Sequence, residues 1–239
     1  MIWLFDLDNT LHNASLAIFP EISANMNAFL SRYARENDGV HLSAEAANQL
    51  RIEYWKRFGA TLLGVSRVLD QKARDFLEAA HRFDDLASLL SAEKGLPALF
   101  RNLPGRKVLL TNSACRYSSD ILELLGLRRY FEKHIAIESM RVFGRFEPKP
   151  SGKFFHKLLA MLRAQPGDCV LVEDNIHILK AAKAIGMKTV LVTRYLDMEN
   201  FSRHSYPYLS GKKQAGRPIY VDLQVSSVRR LVHCLERFC

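Results

Sequence analysis

Cysteine is scarce in this chain of 239 residues, and the four present, Cys115, Cys169, Cys234 and Cys239, show no CxxC spacing. Nothing in that spacing suggests a disulfide framework or a zinc site. Cys169 opens an apolar run and reads as a small buried hydrophobe. No apolar stretch is long enough to span a bilayer, so no membrane partner is expected. The first apolar run, Met1 to Phe5, follows no basic segment and is broken by Asp6, which is not the pattern of a secretory leader. A reducing cytoplasm is the expected setting. Internal repeats and low-complexity segments are also absent.

What is present is ordinary for a globular protein: 48% of residues are hydrophobic and 25% charged. The length suits one large domain, or one domain carrying an insertion. The formal charge is +9, a balance that favours anionic substrates, nucleic acid or acidic lipid. Much of the excess is scattered over Arg51, Lys56, Arg57, Arg67, Arg128 and Arg129. One cluster, Arg203, His204, Lys212, Lys213 and Arg217, falls among Pro207, Gly211, Gly216 and Pro218 and reads as a surface loop. No aromatic-rich binding motif accompanies it, so a solvated loop is expected rather than a nucleic-acid site.

Patterning divides the chain. Residues 1–8 read as a strand. Residues 14–95 read as helices only, with apolar positions at helical spacing in Glu21–Arg35, Ser43–Phe58, Gln71–Ala80 and Asp84–Leu90. Strand and helix then alternate: strand Lys107–Thr111, helix Tyr117–Leu125 stopped by Gly126, strand His134–Glu138, helix Gly152–Arg163 capped by Ser151. Strand Cys169–Glu173, helix Ile176–Ile185, strand Lys188–Thr193, strand Ile219–Leu223 and helix Val225–Phe238 complete the series. Short, nearly continuous apolar strands between helices predict a parallel sheet covered on both faces. The expected fold is α/β: a Rossmann-like core of residues 1–13 and 96–239, with an all-helical cap domain, 14–95, inserted after the first strand. The segments His12–Ser15 and Leu96–Gly105 are the hinge candidates.

The sharpest feature is Phe5-Asp6-Leu7-Asp8-Asn9-Thr10-Leu11. Two carboxylates one residue apart, at the tip of a buried strand, are costly unless paired or holding a metal. If the strand continues, Asp6 and Asp8 share a face. If the chain turns after Asp6, the backbone carbonyl of Asp8 comes near the Asp6 carboxylate instead. Either arrangement offers hard oxygen donors to Mg²⁺, and one carboxylate could also attack phosphorus. A turn in which Asp and Asn cap the next segment is the plain alternative. In open α/β sheets, sites lie beyond the carboxyl ends of the strands. That rim would also carry Thr111-Asn112-Ser113, the Glu147-Pro148-Lys149-Pro150-Ser151 stretch, and Glu173-Asp174-Asn175. Taken singly, these are helix caps, a loop lysine and a helix start. Their order along one fold is harder to explain that way.

Asp6-Leu7-Asp8-Asn9-Thr10, Thr111-Asn112, Lys149 and Glu173-Asp174 together resemble the haloacid dehalogenase-type superfamily of phosphatases, over nearly the whole chain. The resemblance implies Asp6 as nucleophile and Mg²⁺ ligand. It implies Asp8 as the acid that protonates the leaving oxygen and then the base that activates water, its carbonyl also on the metal. Thr111 and the backbone N–H of Asn112 would hold phosphoryl oxygens, and Lys149 would neutralise the nucleophile and the transferring group. Asp174 would complete the metal shell, with Glu173 acting through a metal-bound water. Glu173-Asp174 departs from the paired aspartates common there. The family's dehalogenases lack the second aspartate, because a halide leaves without an acid, so Asp8 argues for phosphate esters.

Within the superfamily, residues 5–12 and Tyr54-Trp55-Lys56-Arg57-Phe58-Gly59-Ala60-Thr61-Leu62-Leu63-Gly64 resemble the pyrimidine 5′-nucleotidase-like branch, as do Lys149-Pro150-Ser151 and Val172-Glu173-Asp174-Asn175. Phe58 and Leu63 depart from its pattern. The expected substrate is a small phosphorylated metabolite, a pyrimidine nucleoside 5′-monophosphate. Alternatives are a sugar-phosphate or phosphoglycolate-type phosphatase, a phosphomutase, or an inactive relative binding a partner or nucleic acid through the basic 203–217 loop. Tyr54, Trp55 and Phe58 could stack on a base or pack the cap's own core.

Overall fold

The computed structural model describes residues 1–58, 60–68, 72–196 and 217–238. Arg203, His204, Lys212 and Lys213 of the basic loop lie outside the described residues, as do Gly59 and the predicted helix start at Gln71. The chain divides into two compact units, Met1–Ser15 with Leu90–Cys239, and Leu16–Leu89.

The larger unit is a Rossmann-like α/β layer built on a six-stranded parallel sheet. Its strands are β1 (Ile2–Phe5), β2 (Arg106–Leu110), β3 (Lys133–Ile135), β6 (Cys169–Glu173), β7 (Lys188–Val192) and β8 (Leu223–Val225), in the order β3-β2-β1-β6-β7-β8. All four residues of β1 and all five of β6 are buried, as central strands covered on both faces must be. Alternation assigns their side chains to two layers. Ile2 and Leu4 join a core with Phe154, Phe155 and Leu158 of α8 (Gly152–Leu162) and Leu179 and Ala182 of α9 (Ile176–Ala184). Trp3 and Phe5 serve the other layer. Phe5 lies 4.9 Å from Phe100 of α6 (Leu96–Asn102), ring centre to ring centre, and Trp3 lies 5.5 Å from Phe238. The Trp3 indole N–H, which burial would otherwise strand, donates to the Pro104 carbonyl at 2.8 Å.

The chain runs outward from β1 through β2 and β3, then crosses back to β6 and continues to β8. The order therefore reverses beside β1, and the crevice beyond the strand ends at this point is where such folds place their sites. Register puts Phe5 opposite Leu109 on one side and Val172 on the other. The residues that follow each strand are thereby neighbours.

Several elements differ from the sequence expectation. The third strand stops at Ile135, and Ile137–Ser139 forms a 3₁₀ turn. A short antiparallel hairpin, β4 (Arg141–Val142) with β5 (Arg145–Phe146), was not visible in the pattern. Its corner residues Phe143 and Gly144 both have positive φ, 49° and 79°, and an aromatic at such a position carries no turn signature. Residues 219–222 are not strand: the Val221 N–H closes a turn onto Pro218, and Ile219 is exposed. The expected helix Val225–Phe238 is two 3₁₀ segments, Val228–His233 and Leu235–Arg237, opened by a Ser227 side-chain cap. Buried Val228 and Leu231 are three apart, the 3₁₀ repeat, and the valines in this run are weak helix formers. The Leu96–Gly105 hinge candidate begins with α6, whose Leu96, Leu99 and Phe100 are buried in the larger unit.

The described elements of the smaller unit are all helical: α1 (Ile18–Tyr33) with a π-helical turn at Ala34–Asp38, α2 (Ala44–Phe58), α3 (Thr61–Val68), α4 (Ala73–Ala80) and α5 (Leu86–Leu89). In α4, Ala73, Phe76, Leu77 and Ala80 are buried, one stripe at helical spacing. Phe76 meets Phe29 of α1 edge to face at 5.3 Å. Asn25 Nδ2 donates to the carbonyls of Ala80 and Arg82, which the end of α4 leaves open. Arg51, counted among the scattered charges, is buried, and its guanidinium donates to Asn27 and Asn48 at 3.2 and 2.9 Å. Gly64 of α3 lies against Tyr54 of α2 so closely that a Cβ there would come within 2.5 Å of the Tyr54 side chain. Gly64 is thus a helix-packing device, and Tyr54 is buried in the unit's own core. Phe58 is half-buried, edge to face with Tyr54 and flanked by the Arg57 and Arg67 guanidinium groups. No described helix is long and apolar enough to cross a membrane.

Candidate active site

β1 ends at Phe5, and Asp6 continues its ladder by one bond, donating its N–H to Val172 of β6 at 3.0 Å. The chain then turns. The N–H groups of Thr10 and Leu11 both reach the Leu7 carbonyl, and Asn9 takes φ 59°, a left-handed conformation that asparagine tolerates. Asn9 Oδ1 accepts the Ser15 N–H, locking the loop. Of the two geometries open from sequence, the molecule adopts the turn.

Asp6, Glu173 and Asp174 are all buried, and each offers a carboxylate oxygen within 4.8 Å of the others. Lys149 enters from the loop after β5, buried like the acids. Its Nζ donates to Asp6 Oδ1 and to Glu173 Oε2, both at 2.7 Å. Burial works against the Lys149 charge, but the Asp6 and Glu173 carboxylates override it and hold its pKa above the ordinary lysine value. Burial, followed by the Glu173 charge, pushes the Asp6 carboxyl up to about 7 despite Lys149. Asp174 is raised well above the ordinary range, first by burial and then by Glu173 and Asp6. Three buried carboxyl groups thus cluster around one ammonium. Such a set could hold a divalent cation, and hard carboxylate oxygens suit Mg²⁺. Asp6, Asp174 and Glu173 are the side chains that would hold it.

Thr111 follows β2 and is buried. Its N–H is bound by Ile135, and its Oγ1 accepts from the Ser113 N–H at 3.0 Å, which leaves the hydroxyl hydrogen free to donate. The Asn112 side chain does something that sequence did not suggest. Its Oδ1 accepts the Lys149 N–H at 3.0 Å, and its Nδ2 donates to the Lys149 carbonyl at 2.9 Å. The amide thus brackets the main chain of Lys149 and fixes the root of that side chain. The Ser151 side chain caps α8 by accepting from Phe154 N–H.

Asp8 stands apart from the acid cluster. Its carboxylate accepts from Ser113 Oγ at 2.5 Å and Tyr117 Oη at 2.6 Å, with His12 Nε2 at 3.1 Å. Burial tends to raise its pKa, but the bonds from His12, Ser113 and Tyr117 prevail and hold it below the ordinary aspartate value. The metal role expected of Asp8 concerned its carbonyl; its carboxylate takes no part in the cluster. Sequence reasoning missed His12 and Tyr117. The signal was spacing: His12 is four residues beyond Asp8, and Tyr117 is four beyond Ser113, at the start of α7 (Cys115–Leu124).

A parallel sheet with a reversal at β1, and a buried acid–lysine cluster at that point, define the class: an α/β protein with a buried polar cluster at its strand ends. The haloacid dehalogenase-like hydrolase family matches residues 2–186, and the chain belongs to that family. Solved structures agree on the fold. A HAD phosphatase from Thermococcus onnurineus superposes with TM-score 0.61 at 18% identity, covering 98% of this chain and 97% of that one. An L-2-haloacid dehalogenase from Xanthobacter autotrophicus, with chloropropionic acid covalently bound, gives 0.56 at 17% identity, covering 98% of both chains. A HAD hydrolase from Bacillus subtilis bound to magnesium gives 0.58 at 17%, again covering 98% of both. No curated protein matches the sequence.

Proposed function

We propose that this hydrolase is a Mg²⁺-dependent phosphomonoester hydrolase working through an aspartyl-phosphate on Asp6. The observation that carries the reading is the Lys149 ammonium seated between Asp6 and Glu173 at 2.7 Å each, beside Asp174, with a second aspartate two residues after the first. An Asp6 oxygen attacks phosphorus while the bond to the leaving oxygen breaks. Asp8 enters the step in its protonated form and gives that oxygen the proton; the carboxylate left behind takes one from the water that attacks the phosphoryl group and releases Asp6, which restores the acid. Thr111 and the Asn112 N–H bind phosphoryl oxygens, and Lys149 offsets charge on Asp6 and the group in transfer. A bound Mg²⁺ would add charge neutralisation and alignment of the phosphate.

Neighbours of this fold include both phosphatases and dehalogenases. Asp8 favours the phosphate ester, since a halide leaving from carbon needs no acid and would leave a carboxylate with three side-chain partners idle. The substrate class, a pyrimidine nucleoside 5′-monophosphate, rests on the likeness of residues 54–64 and 149–151 to the nucleotidase branch. Within the helical unit Tyr54 is buried against Gly64, whereas Trp55 and Phe58 are half-buried, Phe58 between two arginines. The test is phosphate release from UMP, CMP, purine nucleotides and sugar phosphates, with Mg²⁺ and with chelator. The expected result is preference for UMP and CMP and no turnover in chelator. Preference for sugar phosphates would overturn the substrate assignment, and equal turnover in chelator would overturn the metal.

A further inference from the structure

The carboxylate of Asp8 has more partners than a turn residue needs. The N–H groups of Thr10 and Leu11 are taken by the Leu7 carbonyl, so Asp8 does not cap its own loop. Its hydroxyl donors come from more than a hundred residues away: Ser113 to Oδ2 at 2.5 Å and Tyr117 to Oδ1 at 2.6 Å. The His12 ring is fully buried. Its Nε2 lies 3.1 Å from Asp8 Oδ1 and 3.4 Å from Tyr117 Oη, while its Nδ1 has no partner among the described residues. A hydrogen on Nδ1 would be stranded in the interior, so the tautomer that fits carries it on Nε2 and donates to Asp8. Both oxygens of one carboxylate are thus fixed by three side-chain donors, on a group 11% exposed.

We propose that Tyr117 and His12 are positioning residues for Asp8, holding its protonated carboxyl aimed at the leaving oxygen in the first step and its carboxylate aimed at water in the second; this rests on the phosphatase reading. When Asp8 passes its proton on, the O–H bond breaks and the electron pair stays on the carboxylate. Negative charge then appears on the atoms that Tyr117, Ser113 and His12 already face. Donors set in place before the charge develops require no rearrangement during the step. When water attacks the phosphoryl-enzyme, the same donors keep the carboxylate oriented as it accepts the water's proton.

Leaving-group dependence separates this role from a structural one. A p-nitrophenolate needs little help to depart, whereas an alkoxide needs a proton. kcat/KM, which reports the first step, is measured for p-nitrophenyl phosphate and for a simple alkyl phosphate. In Tyr117→Phe the alkyl ester is expected to lose about tenfold more than the aryl ester, the scale of one hydrogen bond to a charged group. In an Asp8→Asn background the same substitution should leave the ratio of the two esters unchanged. His12→Gln, which keeps an N–H where Nε2 stands, should stay closer to the wild-type ratio than His12→Leu. Ser113→Ala substitutes for Tyr117→Phe if that variant fails to fold. Equal losses on both esters, in a variant with an unchanged unfolding midpoint, would overturn the proposal. So would a ratio that still shifts with Asp8 already gone. If His12→Gln and His12→Leu behave alike, the part given to His12 is wrong. Wild-type protein that releases phosphate from neither ester would instead fail the phosphatase reading.

Discussion

Asn112 shows how a side chain can matter without touching a reacting atom. Its amide meets both the N–H and the C=O of Lys149, so the lysine leaves the backbone from a fixed point before its Nζ reaches Asp6. Asn112→Ala is expected to lower kcat by about a hundredfold, since small displacements of a charge-stabilising group are costly in rate. Circular dichroism should show the fold retained, and an unchanged kcat would refute the clamp. His134 gives a prediction of stability rather than activity. Its Nε2 is paired with Ser118 Oγ at 2.7 Å, and its pKa is lowered from 6.5, first by burial and then by Arg128, against the pull of Glu138. A folded-state pKa below the unfolded one means that the unfolded chain binds the proton more readily. The stabilisation is therefore complete above pH 6.5 and is lost as pH falls through the lower folded-state value. Unfolding midpoints recorded from about pH 7 to pH 5 should fall more steeply for wild type than for His134→Gln; parallel curves would contradict this. The buried acids and the lysine were legible because charged residues directly after apolar strands break the pattern. Asn112 as a clamp, and His12 and Tyr117 as partners of Asp8, were not. A lone amide, imidazole or phenol has no signature until the fold supplies its neighbour.

At the scale of elements, legibility followed burial on both faces. Strand Cys169–Glu173 appears with the boundaries expected of it, because a continuous apolar run bounded by polar residues admits little else. α4 follows its i, i+3, i+4, i+7 stripe. The failures are elements whose geometry is set by distant contacts. α7 has Ala114 at its N-cap, with no side chain to offer, and the Glu138 carboxylate accepts the Cys115 N–H in its place. The C-terminal run settles as 3₁₀ turns, with Phe238 at its end held against Trp3. α3 was not anticipated either, although Gly64 within it sets how closely it approaches α2. Gly64→Ala should destabilise the chain by about 1–3 kcal/mol through overpacking on Tyr54. Thermal unfolding should show a lower midpoint, partly restored by adding Tyr54→Ala. An unaltered midpoint would mean that the helices move apart freely.

For the molecule as a whole, the topology explains why so few residues suffice. The sheet order reverses beside β1, so Asp6, Thr111 and Glu173 arrive at one rim from three adjacent strands. The loop after β5 needs to add only Lys149. Family membership and fold follow from the same arrangement. What it would accomplish is phosphoryl transfer onto a buried aspartate whose charge is balanced by lysine and a divalent ion. The most direct test is a rapid acid quench of the protein mixed with Mg²⁺ and a phosphomonoester carrying radiolabelled phosphate. Label should appear on the wild-type chain, be released by hydroxylamine as an acyl phosphate, map to the peptide containing Asp6, and be absent from Asp6→Asn. Phosphate turnover with no labelled protein, or label that persists in Asp6→Asn, would contradict the account.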